Sequence, residues 1–113
     1  MIIVSVTRLK GTIKGFSIKG HAGYQPRGED IVCAAVSMLA QTALLGLGRY
    51  IGEGLDYQVD DAGIIKCSLP GNLGELEKIR AEAILTTMII GLKNLQKNYF
   101  KHIRVFRRRW TSC

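Results

Sequence analysis

Residues 31–48 have the sequence IVCAAVSMLAQTALLGLG, which contains no charged side chain. A run of this length just reaches that of a membrane span, so this interpretation has to be weighed. Ser37, Gln41, Thr42 and the four alanines make the run only mildly apolar, and no hydrophobic flank extends it. A helix that is apolar on most sides is typical of a buried position. We therefore predict the central helix of a domain or of a dimer, and no membrane partner.

The sequence on either side of this helix predicts short strands. Residues 2–7 (IIVSVT) and 12–19 (TIKGFSIK) are rich in β-branched side chains and flank Lys10-Gly11, which predicts a β-hairpin. Two further strands are expected near 55–60 and 64–69. Between them, Gly63 suits a turn position with positive φ.

A second long helix is predicted after Pro70-Gly71. Asn72 is a favourable N-cap, and Glu75 three residues later completes a capping-box pattern. The apolar stripe expected to face the core comprises Leu73, Leu76, Ile79, Ala83, Met88, Leu92 and Leu95. A last strand is expected from His102 to Phe106. The order β-β-α-β-β-α-β predicts an α/β (α+β) sandwich with a mixed or antiparallel sheet and two long helices.

The chain has 113 residues, a length typical of one domain, so we predict a single domain over 1–113 with a basic tail from about 107 to 113. The net charge is +7, and six of the sixteen basic residues lie in the last seventeen positions. They are Lys97, Lys101, Arg104, Arg107, Arg108 and Arg109. This basic C-terminus favours an acidic partner such as nucleic acid, or it is a solvated strand and tail.

The three cysteines, Cys33, Cys67 and Cys113, are odd in number and far apart. The spacing argues against a disulfide framework or a structural zinc site, and we expect no metal and a reducing compartment. The N-terminus lacks the combination of basic start, apolar stretch and cleavage site that marks a secretory signal. These features predict a cytoplasmic protein.

The most informative segment for chemistry is Gly20-His21-Ala22-Gly23, a short loop, and then Gly28-Glu29-Asp30-Ile31-Val32-Cys33. Asp30 is a natural N-cap for the apolar helix, and Cys33 falls in its first turn. Backbone donors and the positive helix end favour a thiolate there. His21 follows a strand that can bring it beside this turn, so the two side chains could form a Cys–His pair with helix-mouth N–H groups for an oxyanion.

Each of these residues also has a purely structural interpretation. Cys33 could be a small buried hydrophobe, and His21 a solvated loop residue. Asp30 could orient His21 as a third catalytic member, although we favour a role as cap alone. His102 is a rival base that nothing nearby pairs with a cysteine, and Cys67 is expected in the core.

Three further residues complete the candidate site. Ser37 lies one turn after Cys33 on the same helix face, where it could bind substrate or a carbonyl of its own helix. Gly23 and Gly28 give the intervening loop freedom to move over the site, or they serve only its turn geometry.

The motifs GHAGY and GEDIVCAAVSMLAQT resemble those of the bacterial ribosomal-processing cysteine proteases known as Prp. The likeness extends over most of the chain, although the ending VFRRRWTSC is more basic than the family's usual acidic or neutral end. The resemblance implies that His21 is the catalytic base and Cys33 the nucleophile, with Asp30 and Ser37 in support. It implies a homodimer with a mobile loop over the site and no cofactor.

By the same resemblance, the substrate is a large-subunit ribosomal protein whose N-terminal extension is removed by a cut after an aromatic residue. Two non-enzymatic alternatives stay open on the sequence. One is a basic ribosome- or RNA-associated binding module that uses the C-terminus. The other is a structural dimer with an inert buried cysteine.

Overall fold

The computed structural model describes residues 1–26 and 28–109. Its strands are β1 (Ile2–Leu9), β2 (Thr12–Lys19), β3 (Asp56–Asp60), β4 (Ile64–Ser68) and β5 (Ile103–Arg109), and its helices are α1 (Ile31–Ile51) and α2 (Glu75–Asn98). This is the predicted β-β-α-β-β-α-β order.

The five strands form one sheet in the order β3-β4-β2-β1-β5. Three of the four pairings are antiparallel hairpin or neighbour contacts, whereas β5 lies parallel to β1. The sheet is therefore mixed, which confirms the predicted α+β class. The parallel pairing explains the long return through α2, because parallel strands need a crossover rather than a tight turn.

One face of the sheet carries the core. Along β1, Ile2, Val4 and Val6 are buried while the residues between them are not, as expected from the two-residue period of a strand. These side chains join the buried residues of both helices in a single cluster. The opposite sheet face carries half-buried and exposed side chains.

Helix α1 is long and apolar enough to cross a membrane by length and composition alone, and about a third of its most apolar window is buried. In this fold it packs as a core helix. Seven of its residues belong to the hydrophobic cluster, and its first turn carries the candidate nucleophile. It extends three residues past the predicted end and stops at Gly52, where φ is +77°.

Helix α2 begins later than predicted. Its N-cap is Gly74 rather than Asn72, and Glu77 rather than Glu75 reaches back, with the Gly74 N–H donating to its Oε1 over 3.1 Å. Leu73 packs partly buried against the core, which holds the preceding segment outside the helix. The predicted capping box was therefore wrong by two residues.

The predicted apolar stripe of α2 was also wrong in part. Met88 and Leu92 are buried as expected, and Leu95 is half-buried, but Leu76, Ile79 and Ala83 are exposed. The helix carries two apolar stripes. The stripe that meets the core consists of Ala81, Leu85, Met88, Ile89 and Leu92.

Strand β5 continues past Phe106 through Arg109, so residues 107–109 of the predicted tail belong to the sheet. Residues 110–113 lie outside the part of the chain that the structure describes. As an edge strand, β5 leaves N–H groups without a second strand partner. One of them is satisfied by α2, because the Val105 N–H donates to Gln96 Oε1 over 2.6 Å.

Candidate active site

Asp30 organises the start of α1. It is the N-cap residue, as predicted, and its Oδ1 accepts the N–H groups of Val32 at 2.9 Å and Cys33 at 3.1 Å. Its Oδ2 accepts the N–H groups of Tyr24 at 2.9 Å and Gln25 at 3.1 Å. Burial opposes ionisation of this carboxyl, but the four backbone donors outweigh it and hold its pKa below the usual value.

The carboxylate therefore joins two segments, the helix mouth and the loop that follows His21. Within the described residues, its contacts go to backbone N–H groups and not to the His21 ring. The geometry agrees with the cap and gives no support to a third catalytic member. Asp30 therefore positions the backbone of the loop and of the first turn of α1.

Cys33 lies half-buried in the first turn of α1, with its sulfur beside the loop. The Ala22 N–H donates to its Sγ over 3.2 Å. The N–H groups of Val32 and Cys33 are already bonded to Asp30, so these two helix-mouth donors are not free for an oxyanion. A donor to the sulfur thus comes from the loop, and sequence reasoning had not identified it.

His21 and Cys33 line the same cleft, which has a volume of about 240 Å³. His21 is solvent-exposed and lies two residues after the end of β2. Its ring lies over Gly63 in the β3–β4 turn, where a β-carbon would stand 3.0 Å from Cε1 and 3.2 Å from Nε2. Gly63 has φ +85°, as predicted for a turn, and its missing side chain leaves room for the imidazole.

The β3–β4 turn forms the far wall of the cleft through Asp60, Asp61 and Gly63. Asp60 holds this turn in shape, since its Oδ1 accepts the Ala62 N–H over 2.9 Å. Sequence reasoning assigned this turn no part in the site. Aspartates beside a glycine in a turn are common. Only the strand order brings this turn next to His21.

Ser37 lines the cleft one helical turn below Cys33. Its Oγ accepts a hydrogen bond from Gln41 Nε2 over 2.6 Å, so its described partner is another side chain of the cleft. Gln41 was not among the predicted site residues, although its i+4 spacing from Ser37 was a usable signal. Together they place a hydroxyl and an amide along the cleft floor.

His102 is not a rival base on the cysteine. Its Nδ1 lies 2.9 Å from the Ala22 carbonyl oxygen, and the Tyr24 ring packs edge-on against both His102 and Tyr99. These contacts fix the first half of the loop. Ala22 is thereby held at its carbonyl by His102, while its N–H faces the sulfur of Cys33.

The loop glycines have positive φ, +69° at Gly23 and +91° at Gly28, a backbone region that favours glycine. Turn geometry thus accounts for both residues. Their predicted role in loop motion stays a prediction.

The second described cysteine is chemically different from Cys33. Cys67 is buried as predicted, and burial, assisted by the charge of Asp56, raises the pKa of its thiol to about 12. Cys113 lies outside the described residues. In the described part of the chain, no three histidine, cysteine or acidic side chains gather where they could hold a metal ion.

Comparisons with known proteins point to one protein family. The family model for cysteine protease Prp matches residues 1–104. The chain is 32% identical over 111 residues to the ribosomal processing cysteine protease Prp of Staphylococcus aureus, covering 93% of this chain and 97% of that protein. It is 28% identical over 96 residues to that of Bacillus subtilis, covering 82% and 84%.

A solved structure shares the whole fold. The S. aureus protease Prp in complex with a covalently linked product peptide superposes with a TM-score of 0.84 at 26% identity, covering 96% of this chain and 100% of that one. The fold is thus shared with a protease whose structure holds a covalently linked product peptide. The chain belongs to the cysteine protease Prp family, and it is a cysteine protease.

Proposed function

We propose that this protease removes the N-terminal extension of a large-subunit ribosomal protein by means of a Cys33–His21 dyad. The observation that carries the proposal is the shared cleft, where an exposed imidazole and a helix-mouth thiol stand together. The S. aureus and B. subtilis relatives are named for ribosomal processing, which supports the choice of substrate.

The chemistry is acyl transfer. His21 takes the proton of the Cys33 thiol, and Sγ attacks the scissile carbonyl carbon. The tetrahedral intermediate collapses to a thioester as His21 returns the proton to the leaving amine. Water, deprotonated by His21, then attacks the thioester carbonyl and releases the peptide acid and the free thiol.

The developing oxyanion needs a donor next to Sγ. In place of the Val32 and Cys33 N–H groups, which Asp30 occupies, we assign the Ala22 N–H to this role. Because His102 already contacts the Ala22 carbonyl, this backbone donor costs little reorganisation during the reaction. Ser37 and Gln41 are placed to bond the peptide backbone along the cleft floor.

An apolar pocket of about 650 Å³ adjoins the cleft and shares Gln41 and Val59 with it. Leu44, Leu45 and Tyr57 contribute to its lining. Its continuity with the cleft and its apolar lining suit the aromatic substrate residue that the family resemblance implies before the cut. We propose this pocket as the site for that side chain.

We also propose that the protein acts as a homodimer. Large apolar side chains are exposed along the outer faces of both helices: Ile31 and Met38 on α1 and Leu76, Ile79 and Ile90 on α2. Several large exposed apolar side chains on two neighbouring helices are typical of an interaction site. A second copy would cover both stripes and would explain why so much of α1 is uncharged.

Two further parts of the proposal concern where the enzyme acts and what it contacts there. Because the proposed substrate is a ribosomal protein, we propose that the enzyme acts in the cytoplasm. The basic C-terminus, with Arg104, Arg107 and Arg108 on β5, is proposed to contact ribosomal RNA. This contact accompanies proteolysis and does not replace it.

The test is cleavage of an extended ribosomal protein from the same organism, followed by mass spectrometry. We expect a single N-terminal cut with the wild type and none with Cys33→Ala or His21→Ala. Cys67→Ala is the matched control, because it makes the same change at a buried cysteine outside the cleft. We expect it to keep cleavage. Cutting by folded Cys33→Ala would contradict the dyad, and an intact extended substrate with wild type would contradict the substrate.

A further inference from the structure

The open face of the sheet, opposite the helices, carries a strong charge imbalance. Strands β1, β2, β4 and β5 contain eight lysines and arginines and no aspartate or glutamate, and the strand register places four of the eight, Lys19, Lys66, Arg104 and Arg108, on this face. The acids of the sheet, Asp56 and Asp60, are on β3 at one edge. Asp60 is further engaged by the Gln58 amide, which donates to its Oδ2 over 2.8 Å.

The strand register shows which side chains share this face. Ser17 of β2 pairs with Ser5 of β1 and with Lys66 of β4, and Ser5 pairs with Phe106 of β5. These four residues form a row across the sheet. None of them belongs to the buried core, in contrast to the neighbouring row, where Val4, Ile18 and Ile65 are buried and Val105 packs half-buried against the core.

Two parallel rows flank the first. In one, Ile3 of β1 pairs with Lys19 of β2 and Arg104 of β5. In the other, Thr7 pairs with Arg108. Phe106 therefore lies between two arginines at i−2 and i+2 on the same face, because strand side chains alternate. We call Lys19, Lys66, Arg104, Phe106 and Arg108 the basic sheet face.

The aromatic side chains of this region are open to solvent. Phe106 is 49% exposed, and nearby Phe100 is 54% exposed. The Arg104 guanidinium lies 5.7 Å from the centroid of Phe100, and Lys101 lies 6.0 Å from the same ring. Exposed rings beside cations are the combination that binds single-stranded nucleic acid, since rings stack on bases while cations pair with phosphates.

We propose that the basic sheet face binds single-stranded RNA, with Phe106 stacking on a base and Lys19, Lys66, Arg104 and Arg108 meeting phosphates. Ser5, Ser17 and Thr7 supply hydroxyls between these cations for sugar or phosphate oxygens. This extends the RNA contact proposed above from the C-terminus to three adjoining strands. It also places RNA on the sheet face turned away from α1 and α2.

The test is fluorescence anisotropy of a labelled single-stranded RNA of mixed sequence, titrated with the full chain at several salt concentrations. Four phosphate contacts predict a slope of log K against log salt of about −3 for a single strand. Arg104→Gln and Arg108→Gln should each reduce the slope by about 0.7. Phe106→Ala should weaken binding roughly tenfold at every salt concentration, because it removes stacking without removing charge.

Lys93→Gln is the matched control, since it removes one exposed charge from α2. It should leave RNA affinity and salt slope unchanged. Equal losses from Lys93→Gln and Arg104→Gln would overturn the proposal, because binding would then follow net charge. Equal affinity for polyglutamate or for vesicles with anionic lipids, or no effect of Phe106→Ala, would overturn it in favour of a general anion-binding surface.

Cleavage of a short peptide that spans the processing site separates this proposal from the protease proposal. Arg104→Gln, Phe106→Ala and Arg108→Gln should cleave the peptide at the wild-type rate, since none of them lines the cleft. RNA binding without peptide cleavage by wild type would leave the basic sheet face standing while removing the proposed substrate. Peptide cleavage without RNA binding would support the proposed substrate and overturn the basic sheet face.

Discussion

Asp30 has two structural roles, of which the sequence predicts only the first: it caps α1, and it holds the loop that follows His21. Its Oδ1 caps α1 and its Oδ2 ties down the backbone of Tyr24 and Gln25. Because ionisation is favoured by these four donors, the carboxylate stabilises the folded chain. The same contacts fix the helix mouth that carries Cys33.

Asp30→Asn should lower the free energy of unfolding by about 1–2 kcal/mol at neutral pH, because its amide cannot accept at both ends. The folded pKa of Asp30 is below 3.8, so its contribution is complete above that pH and is lost as the pH falls through the folded value. Urea unfolding from pH 7 to pH 3 should show the gap between wild type and variant shrinking in acid. Exposed Asp56→Asn is the control, and a gap that stays constant in acid would contradict the role of ionisation.

The two described cysteines should differ in reactivity. A thiol whose pKa is about 12 is thiolate in about one molecule in 10⁴ at pH 8, and Cys67 is also buried. In a Cys113→Ser background, iodoacetamide should label Cys33 in the native protein and Cys67 only after denaturation. Peptide mapping by mass spectrometry measures both. Native labelling of Cys67 at a rate similar to that of Cys33 would show that its site opens readily.

At the scale of elements, the loop between β2 and α1 is held by a residue that precedes β5. His102 precedes β5 and bonds the Ala22 carbonyl, so the last strand helps to place the N–H that faces the nucleophile. Nothing in the sequence connects positions 22 and 102. The connection exists because β5 lies parallel to β1 and delivers His102 beside the start of that strand, where the Ile2 N–H donates to its carbonyl over 2.9 Å.

His102→Ala should reduce kcat/KM roughly tenfold, because a loosened Ala22 peptide misplaces the proposed oxyanion donor. His102→Asn should recover much of this loss, since its amide nitrogen can donate near the position of Nδ1. Steady-state cleavage of a peptide substrate measures both variants. Unfolding in urea serves as the control, and equal activity loss in both variants with equal loss of stability would make His102 merely structural.

The helices show which features sequence could predict. The start of α1 was predicted because Asp30 and the uncharged run are adjacent in the chain, and an N-cap acts over three residues. The buried side of α2 was not, because Leu76, Ile79 and Ala83 fit a helical stripe as well as Ala81, Leu85 and Met88 do. Periodicity identifies an apolar stripe but not its partner. The same limit hid the β3–β4 turn, which joins the cleft only through strand order.

At the scale of the whole molecule, the fold presents three separate surfaces. The cleft lies where β2, α1 and the β3–β4 turn meet, the basic sheet face points away from the helices, and the outer helix stripes are apolar. The wrongly predicted residues of α2 are part of this third surface. The sequence pattern predicts that these residues are buried, and a second copy of the chain would bury them.

Disrupting the outer helix stripes should therefore separate the proposed dimer without unfolding the chain. Met38 and Ile79 are 66% and 65% exposed, so Met38→Glu and Ile79→Glu leave the monomer core intact but place charges in the interface. Sedimentation equilibrium should give twice the 12.5 kDa chain mass for wild type and the single mass for both variants. Leu9→Glu, an exposed change at the end of β1, is the control and should stay dimeric. A wild type that remains monomeric at micromolar concentration would contradict the dimer, whereas dimeric variants would move the interface elsewhere.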